Sequence, residues 1–487
     1  MPEIDRTPPA VHLRINGEKL ATGAGGTHDH ISPATGRVDA TIPLADKAEI
    51  EQAVTAAHEA YQSWKRTPAA HRRALLLKLA DLIEENTEEF ARRATLDNGT
   101  PFTRAKGFGP LSAEWTRYYA GAADKLRGEV TGSPVYDSEL GYTLTEPYGV
   151  IGIVITWNGP LISLAMKIPP AVAAGNTVVV KPSELTPFSG ELFMDLVEQA
   201  GFPPGVVNIL PGTAEAGAQL VSNPLVKKIT FTGGPATAQH ILQGCAADIK
   251  PAVLELGGKS ANIVFEDADI EKACILGTTF SLILMSGQGC SFATRMIVHE
   301  SIYDEVVART KAIAESVVVG DPFAEGTMSG PVVNEAAVER ILSVIERAKA
   351  DGATLITGGE RIGGELAGGY YIQPTIFTDV DPQSHLAQNE VFGPVLSIMK
   401  FSTEEEAIEI ANCTRYALAA YVQTNDLKRA VRVASELDAG QILVNGAPNS
   451  VVGRPFGGFG LSGVGKEGGH EGIEEFLRVK AVAIGMN

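Results

Sequence analysis

The chain of 487 residues is longer than a single hydrophobic core usually supports, so two or three domains are expected. Hydrophobic residues at 44% and charged residues at 20% are ordinary for a globular protein and exclude a disordered or fibrous chain. The formal net charge of -18 argues against nucleic acid and membrane surfaces as partners, because both are bound through basic patches.

The N-terminal part of the chain is predicted to contain short strands and turns over residues 11–45, followed by helices. Apolar residues recur every three or four positions over 45–65 and over 68–98, which predicts one helix in each range. Asn98-Gly99 ends the second helix. A third helix is predicted over 102–126, with its aromatic residues in the core.

Residues 128–147 change to an alternating pattern with turn residues at Gly132-Ser133-Pro134 and at Glu139-Leu140-Gly141. This pattern predicts a β-hairpin that projects from the main body. An exposed two-stranded hairpin is marginally stable and presents pairing edges, so a subunit interface is a natural place for it.

From Tyr148 onward, apolar strands alternate regularly with helices. Such alternation is typical of a parallel sheet covered on both faces, which binds ligands at the carboxyl ends of its strands. A second alternating series runs from Ala261 to Val444 and predicts a second α/β domain. Within it, residues 273–294 carry no charge but contain too many polar residues for a membrane span, so a buried helix is predicted.

The cysteine content and the N-terminal residues indicate the cellular compartment of the protein. The sequence MPEIDRTPPA lacks the basic and apolar regions of a signal peptide. The four cysteines have no paired short spacing, so neither a disulfide framework nor a structural zinc site is expected. His28 and His30 lack a second ligand cluster, which favours a solvated loop over a metal site. We therefore expect a cytoplasmic protein without a bound metal.

Six short segments carry the residues most suited to chemistry. They are Ile155-Thr156-Trp157-Asn158-Gly159-Pro160, Val180-Lys181-Pro182-Ser183-Glu184, Leu254-Glu255-Leu256-Gly257-Gly258-Lys259, the turn Gly287-Gln288-Gly289-Cys290, Asn389-Glu390-Val391-Phe392-Gly393-Pro394, and the stretch from Pro455 to Gly463. In this order they closely resemble the NAD(P)-dependent aldehyde dehydrogenase superfamily of the non-acylating, hydrolytic type, over nearly the whole chain.

This resemblance implies an α/β fold with two doubly wound domains, one a Rossmann-like cofactor domain and one catalytic, plus a small β oligomerisation arm. The implied bounds are 1–127 and 147–256 for the NAD-binding domain, 257–460 for the catalytic domain, and 128–146 with 471–487 for the arm. The arm implies a homodimer or homotetramer, a choice that the sequence leaves open.

The resemblance also implies roles for five residues in the oxidation of an aldehyde to the acid. Cys290 matches the family nucleophile, whose thiolate adds to the carbonyl. Asn158 matches the amide that stabilises the resulting oxyanion, together with the backbone N–H of Cys290. Glu255 matches the general base that activates water for thioester hydrolysis. Lys167 and Glu467 match positions near the family's proton path.

The predicted cofactor site lacks the Gly-x-Gly-x-x-Gly fingerprint, and a helix instead opens directly after a strand at residues 231–235. Lys181 and Glu184 resemble the pair that binds the adenosine ribose, and Glu390 the residue that binds the nicotinamide ribose. A carboxylate at Glu184 would repel a 2′-phosphate, so NAD is favoured and NADP remains possible. The full set is Ile155, Thr156, Trp157, Lys181, Ser183, Glu184, Gly212, Phe231, Thr232, Gly233, Gly234, Leu256, Gly257, Glu390 and Phe392.

The sequence departs from the family pattern at Thr156, Gly234, Ala238 and Met285, none of which removes a reacting group. Positions matching the family's substrate tunnel are mostly small or flexible, which predicts a wide, uncharged pocket for a bulky or aromatic aldehyde. They are Gly159, Ser163, Met166, Leu284, Gly289, Ser291, Ser450 and Phe456.

Two alternatives stay open at this point. An acylating relative would pass the thioester to coenzyme A, although Glu255 counts against that interpretation. A non-catalytic structural member of the family would be expected to lack the thiol, the base or the amide, and all three are present.

Overall fold

Strands and helices alternate along most of the chain in the computed structural model, which describes residues 4–132, 139–446 and 451–486. The strands are β1 (Leu13–Ile15), β2 (Glu18–Leu20), β3 (Thr27–Ser32), β4 (Arg37–Pro43), β5 (Val130–Thr131), β6 (Glu139–Pro147), β7 (Val150–Val154), β8 (Thr177–Lys181), β9 (Val207–Ile209), β10 (Val226–Thr232), β11 (Ala252–Glu255), β12 (Ala261–Val264), β13 (Arg295–His299), β14 (Thr354–Thr357), β15 (Thr375–Thr378), β16 (Val395–Phe401), β17 (Tyr416–Ala417), β18 (Ala419–Gln423), β19 (Gln441–Val444), β20 (Phe459–Gly460), β21 (Gly463–Val464) and β22 (Leu477–Gly485). The helices are α1 (Lys47–Trp64), α2 (Ala69–Glu85), α3 (Thr87–Asn98), α4 (Phe102–Ala105), α5 (Phe108–Ala122), α6 (Pro160–Ala173), α7 (Phe188–Ala200), α8 (Ala214–Ser222), α9 (Pro235–Ala246), α10 (Ile270–Thr278), α11 (Tyr303–Glu315), α12 (Glu335–Ala350), α13 (His385–Gln388), α14 (Glu404–Asn412), α15 (Leu427–Glu436) and α16 (Gly469–Glu474).

The first large sheet has the strand order β2-β1-β9-β8-β7-β10-β11-β21. Its five central strands, β7 to β11, pair in parallel, while β1, β2 and β21 pair antiparallel at the two edges. One face is covered by a core that includes α2, α5, α6 and α7, and the other by a core that includes α1, α8 and α9. Because both faces are buried, β7 and β8 are almost entirely apolar, as a doubly wound sheet requires.

The second large sheet has the order β14-β15-β16-β13-β12-β18-β19, and only the β14–β15 pair is antiparallel. Helices α12, α14 and α15 cover one face, and α10 and α11 cover the other. The fold class predicted from the sequence, two doubly wound α/β domains, is therefore confirmed. The exact domain bounds remain a prediction.

A separate three-stranded sheet has the order β22-β6-β5. The C-terminal strand β22 pairs antiparallel with β6 along nine positions, from Leu477 opposite Pro147 to Gly485 opposite Glu139. The predicted turn at Glu139-Leu140-Gly141 is wrong, because these residues begin β6 and pair with a strand more than 300 residues away that the local pattern could not reveal. Ser133 and Pro134 of the other predicted turn lie outside the described residues. A small β arm is present, and its role in assembly stays a prediction.

Two predicted helices are each divided. Residues 68–98 form α2 and α3 with Asn86 between them, where the backbone leaves the helical region with φ of -98° and ψ of 20°. The Asn86 side chain donates a hydrogen bond of 2.8 Å to the Leu82 carbonyl near the end of α2. The predicted helix over 102–126 divides into α4 and α5 at Lys106-Gly107. Gly99, with a φ of 74°, ends α3 as predicted.

The two histidines near the N-terminus correct another expectation. His28 and His30 lie on β3, not in a solvated loop, and His30 is only 1% exposed. Its Nδ1 lies 2.6 Å from an Asp39 carboxylate oxygen, which explains how a polar ring is accommodated there. Among residues 4–132, 139–446 and 451–486, no three His, Cys, Asp or Glu side chains are grouped as metal ligands would be.

The uncharged segment before Cys290 is helical for less of its length than predicted. Helix α10 gives way to a π-helical turn at Thr279–Ile283 and a 3-10 turn at Leu284–Gly287. By length and composition alone Ile270–Gly287 could cross a membrane, but half of it is buried inside the fold. The remaining residues, 288–294, are not helical, so the predicted helix ends before the thiol.

Candidate active site

A sharp turn delivers Cys290 to its position. Met285 and Ser286 adopt left-handed backbone conformations, with φ of 50° and 51°, and Gly287 follows with a φ of 72°. A Cβ at Gly287 would lie 2.5 Å from the Ser281 carbonyl oxygen, so only glycine fits there. The strained backbone thus turns the end of the helical segment toward the space between the two large sheets.

Buried side chains hold this turn in place. The Gln288 side chain donates to the Met285 carbonyl at 3.0 Å and accepts from the Val333 backbone N–H at 3.1 Å. On the other side of the thiol, the Tyr421 hydroxyl donates to the Ser291 carbonyl at 2.8 Å. Because both flanks of Cys290 are fixed by partners distant in sequence, the thiol has a defined position.

A cavity of about 180 Å³ brings together three of the five predicted catalytic residues, Cys290, Glu255 and Asn158. It lies at the carboxyl ends of β7, β10 and β11, where an α/β sheet is expected to bind ligands. Its lining residues are Thr156, Trp157, Asn158, Thr232, Gly233, Gly234, Glu255, Leu256, Gly257, Cys290, Glu390 and Phe392.

Asn158 lies in the connection between β7 and α6. Its side-chain amide donates a hydrogen bond of 2.9 Å to the backbone carbonyl of Gln288, two residues before the thiol. An amide nitrogen carries two donor hydrogens, so this bond leaves one available. The Asn158 side chain therefore connects the β7–α6 loop to the turn that carries Cys290. Its second N–H remains available to donate to another oxygen.

Glu255 is the last residue of β11 and is 2% exposed. Within the described part of the chain, neither of its carboxylate oxygens has a hydrogen-bond partner. Burial, reinforced by the charge of Glu467, raises the pKa of Glu255 well above its ordinary value, while Lys167 opposes the increase. A buried carboxyl with a raised pKa and no fixed partner is suited to exchange protons with water.

The two other predicted catalytic residues form a buried pair beside Glu255. The Lys167 ammonium, on α6, is paired with the Glu467 carboxylate and also donates to the Thr230 hydroxyl at 2.9 Å. Lys167 is 1% exposed and Glu467 is 6% exposed. The pair does not line the cavity itself, but the charges of both residues act on the pKa of Glu255.

The thiol is protonated in this arrangement. Cys290 is partly exposed through the cavity but otherwise surrounded by protein. Burial raises its pKa to about 12, with further contributions from the Glu390 and Glu255 carboxylates. The thiolate is the reactive form of the side chain. Before the sulfur can attack, a base must remove the thiol proton or a positive charge in the cavity must lower the pKa of the thiol.

The nicotinamide end of the predicted cofactor site lines the same cavity. The Glu390 carboxylate accepts a hydrogen bond of 3.0 Å from the Gly258 backbone N–H, and burial raises its pKa to about 7. The Trp157 and Phe392 rings meet edge to face at 5.3 Å between centroids. Of the predicted cofactor residues, the cavity is lined by Thr156, Trp157, Thr232, Gly233, Gly234, Leu256, Gly257, Glu390 and Phe392.

The adenosine end lies along the neighbouring strands, outside that cavity. At the end of β8, the Lys181 ammonium donates to the Gly212 carbonyl at 2.6 Å and lies 3.5 Å from the Glu184 carboxylate. Helix α9 begins directly after Gly234, which lines the cavity, and the first N–H groups of a helix lack partners within it. Ribose hydroxyls and a diphosphate are the groups that such donors and carboxylates bind. Ile155, Ser183 and Phe231 lie in the same strand ends, but not on the cavity wall.

Of the predicted substrate residues that the structure describes, none lines this cavity. Gly159, Ser163 and Met166 lie at or within the first half of α6, and Met166 packs against the core of the first domain. The Phe292 ring lies against Gly289, and its Cδ2 would be 2.6 Å from a Cβ at position 289. Phe456 pairs through its backbone with Glu467. Leu284 and Ser291 flank the thiol turn, and Ser450 lies outside the described residues.

Three residues that hold the site were not predicted from the sequence: Asn98, Gln288 and Tyr421. Asn98 is bonded to the carbonyls of Trp157 and Asn158, and the other two fix the thiol turn. The only sequence signal at Asn98 was its place before Gly99 at a helix end. Nothing local marked Tyr421, which appears as an ordinary strand residue.

Comparisons with known proteins give a consistent result. A model of the aldehyde dehydrogenase family matches residues 21–482. An aldehyde dehydrogenase from Enchytraeus buchholzi is 43% identical over 476 residues, which cover 96% of this chain and 95% of that protein. The NAD+ complex of aldehyde dehydrogenase from Bacillus cereus is similar with a TM-score of 0.95 and 39% identity, covering 98% of this chain and 97% of that one. A betaine aldehyde dehydrogenase from Staphylococcus aureus, in complex with NAD+ and with a BME-modified cysteine, has a TM-score of 0.96 and 35% identity over 98% of both chains.

Proposed function

The chain belongs to the aldehyde dehydrogenase family, and from this premise we propose that it oxidises an aldehyde to the carboxylic acid with NAD as hydride acceptor. The observation that carries the proposal is the single cavity shared by Cys290, Glu255 and Asn158. In the overall reaction an aldehyde, NAD+ and water give a carboxylate, NADH and two protons.

The first step is loss of the Cys290 thiol proton to water, followed by addition of the thiolate to the aldehyde carbon. A sulfur–carbon bond forms, and the carbonyl oxygen takes up negative charge. The remaining donor hydrogen of the Asn158 amide and the Cys290 backbone N–H stabilise that oxygen in a site with little water, where fixed donors are most effective. When bound, NAD supplies the acceptor for the hydride that leaves the resulting thiohemiacetal, and a thioester remains on Cys290.

Hydrolysis of the thioester completes the reaction. Glu255 removes a proton from water, the hydroxide adds to the thioester carbon, and the sulfur leaves as a thiolate. The raised pKa of Glu255 suits a base that must gain a proton during turnover and lose it afterwards. The buried pair of Lys167 and Glu467 lies beside Glu255, as a route for that proton requires.

The residues at the cofactor end fit NAD. Glu390 would hold the nicotinamide ribose, Lys181 and Glu184 the adenosine ribose, and the start of α9 the diphosphate. The Glu184 carboxylate would repel the 2′-phosphate of NADP, which favours NAD. A cytoplasmic location, a homodimer or homotetramer, and a bulky or aromatic substrate remain predictions from the sequence.

The experiment that tests the proposed function measures NADH and the acid product with NAD and three aldehydes: benzaldehyde, a long-chain aldehyde and succinic semialdehyde. Each is assayed with and without coenzyme A. NADH formed with free acid, independent of coenzyme A, supports the proposal. Dependence on coenzyme A would indicate the acylating alternative, and no NADH from any aldehyde would indicate a non-catalytic protein. Faster turnover of succinic semialdehyde than of the other two would contradict the predicted pocket alone.

A further inference from the structure

We infer that Asn98 is a positioning residue for this reaction: its side-chain amide fixes the loop that carries Asn158 and thereby sets the place of the oxyanion donor relative to Cys290. The inference rests on the proposed function. Asn98 belongs to a helix of the first domain and does not line the cavity, so it acts through the loop and not on the substrate.

The hydrogen bonds of Asn98 use its whole side chain. Its Nδ2 donates to the Trp157 carbonyl at 3.2 Å and to the Asn158 carbonyl at 3.0 Å. Its Oδ1 accepts from the Thr100 backbone N–H at 3.1 Å and from the Thr100 hydroxyl at 2.7 Å. Because Thr100 supplies two donors to the oxygen, the nitrogen of the amide must face the two loop carbonyls.

The loop depends on this amide. Residues 155–159 have no helical or strand structure, and no other side chain in the described ranges donates to the carbonyls of Trp157 or Asn158. Asn98 is 4% exposed, so water cannot readily replace its donors. Removing the amide would leave two carbonyls without partners, and the loop would shift to find others.

The same contacts form a closed ring that includes the thiol turn. The Asn158 amide donates to the Gln288 carbonyl, and Gln288 in turn accepts from the Val333 N–H. The segment that contains Val333 packs against the end of α3, where a Cβ at Gly99 would lie 2.7 Å from Cδ of Pro331. Helix α3, the Asn158 loop and the Cys290 turn therefore hold one another, and Asn98 is the link between the first two.

Catalysis that depends on an oxyanion donor is sensitive to such a link. A displacement of about 1 Å at a positioning contact can slow a reaction about 100-fold. The expected loss is confined to steps in which an oxygen gains negative charge. Reactions of Cys290 without an oxyanion should change little, whereas NAD binding should weaken, because the same loop carries Thr156 and Trp157.

The test compares Asn98→Ala with Thr95→Ala, a matched control on the same helix. The Thr95 hydroxyl is buried and, within the described ranges, bonded only to the Ala91 carbonyl, so its loss removes a buried hydrogen bond of the same helix without a link to the site. Four quantities are measured on each protein: aldehyde turnover, Cys290-dependent hydrolysis of p-nitrophenyl acetate, alkylation of Cys290 by iodoacetamide, and the Kd for NAD. Alkylation by iodoacetamide is a direct displacement at carbon and forms no oxyanion.

In Asn98→Ala, turnover and ester hydrolysis should both fall about 100-fold, while alkylation stays within about threefold of the wild type. The Kd for NAD should rise, because Thr156 and Trp157 lie on the displaced loop. Thr95→Ala should leave all four within about threefold. Unchanged turnover in folded Asn98→Ala would overturn the inference. A fall of alkylation parallel to the fall of turnover would also overturn it, because it would indicate general damage to the site. If Asn98→Ala does not fold, Thr100→Val is measured instead, because it removes only the hydroxyl that orients the Asn98 amide. Turnover and ester hydrolysis should then fall by a smaller factor while alkylation is retained. Absence of this pattern in Thr100→Val would also overturn the inference. Failure of the proposed function is seen separately, as absence of NADH formation in the wild type.

Discussion

Glu390 lies directly against Gly257, where a Cβ would stand 2.7 Å from the carboxyl carbon of Glu390. The same carboxylate is held at 3.0 Å by the backbone N–H of Gly258. A side chain at position 257 would therefore displace the carboxylate from the cavity wall. Gly257 and Gly258 thus leave room for the Glu390 carboxylate at the cavity wall.

Gly257→Ala should weaken cofactor binding, because the displaced Glu390 can no longer meet the nicotinamide ribose. We expect the KM for NAD to rise about tenfold, the free-energy equivalent of one good hydrogen bond to a charged group. Gly121→Ala in α5 is the control, since a Cβ there meets no atom within 4 Å. An unchanged KM for NAD in Gly257→Ala would contradict the proposed role of Glu390.

Glu255→Gln should retain thioester formation and slow its hydrolysis, since the amide cannot accept a proton from water. A loss of about 10²- to 10⁴-fold in steady-state turnover is expected. Mass spectrometry of the variant after mixing with NAD and aldehyde should show the acyl group on the peptide containing Cys290. Glu271→Gln, exposed on α10, serves as control. Normal turnover in Glu255→Gln would rule out its role as base.

Alkylation of Cys290 should depend steeply on pH in the absence of cofactor. With a pKa of about 12, raised by burial and by Glu390 and Glu255, the thiol gains thiolate, and hence reactivity, as the pH rises. The rate with iodoacetamide should increase about tenfold per pH unit between about pH 7 and 10. Glu390→Gln removes a negative charge near the sulfur, lowers the pKa and should speed alkylation at a fixed pH. A rate independent of pH over this range would contradict the assigned environment.

Lys259 should destabilise the protein near neutral pH. Its ammonium group is 2% exposed and has no hydrogen-bond partner among the described residues. Burial, together with the neighbouring Arg295 charge, lowers its pKa from 10.5 to about 7. The unfolded chain then binds more protons than the folded one above pH 7, so this group makes stability increase with pH, by up to about 1.4 kcal/mol per unit.

Lys259→Met should therefore raise the melting temperature at pH 7 and remove part of the increase in stability between pH 7 and 10. Lys428→Met, exposed on α15, is the matched control and should change neither. The measurement is thermal unfolding followed across that pH range. A lower melting temperature for Lys259→Met at pH 7 would show that the buried ammonium has a stabilising partner.

Features that depend on local pattern could be predicted from the sequence. The continuous apolar strands β7 and β8 and the helices between them indicate a doubly covered sheet, and the motif loops fall at strand ends where the structure has them. The resemblance to a family brought Cys290, Glu255 and Asn158 together before their geometry was known. Their common cavity is consistent with that expectation.

Features that depend on distant partners could not be predicted. The pairing of β6 with β22 joins residues more than 300 positions apart, so Glu139-Leu140-Gly141 appeared to be a turn. The left-handed conformations of Met285 and Ser286 are imposed by packing and not by residue type. Asn98 resembled a simple helix end, because its two carbonyl partners lie 59 and 60 residues further along the chain.

The most direct test of whether the Cys290 sulfur is the nucleophile of aldehyde oxidation is NADH formation by Cys290→Ala. It is measured beside the wild type and Cys245→Ala. Cys245 is buried in α9 and does not line the cavity, so its loss should leave turnover nearly unchanged. Cys290→Ala should produce NADH at least about 10⁴-fold more slowly than the wild type. Undiminished NADH formation by Cys290→Ala would contradict the mechanism.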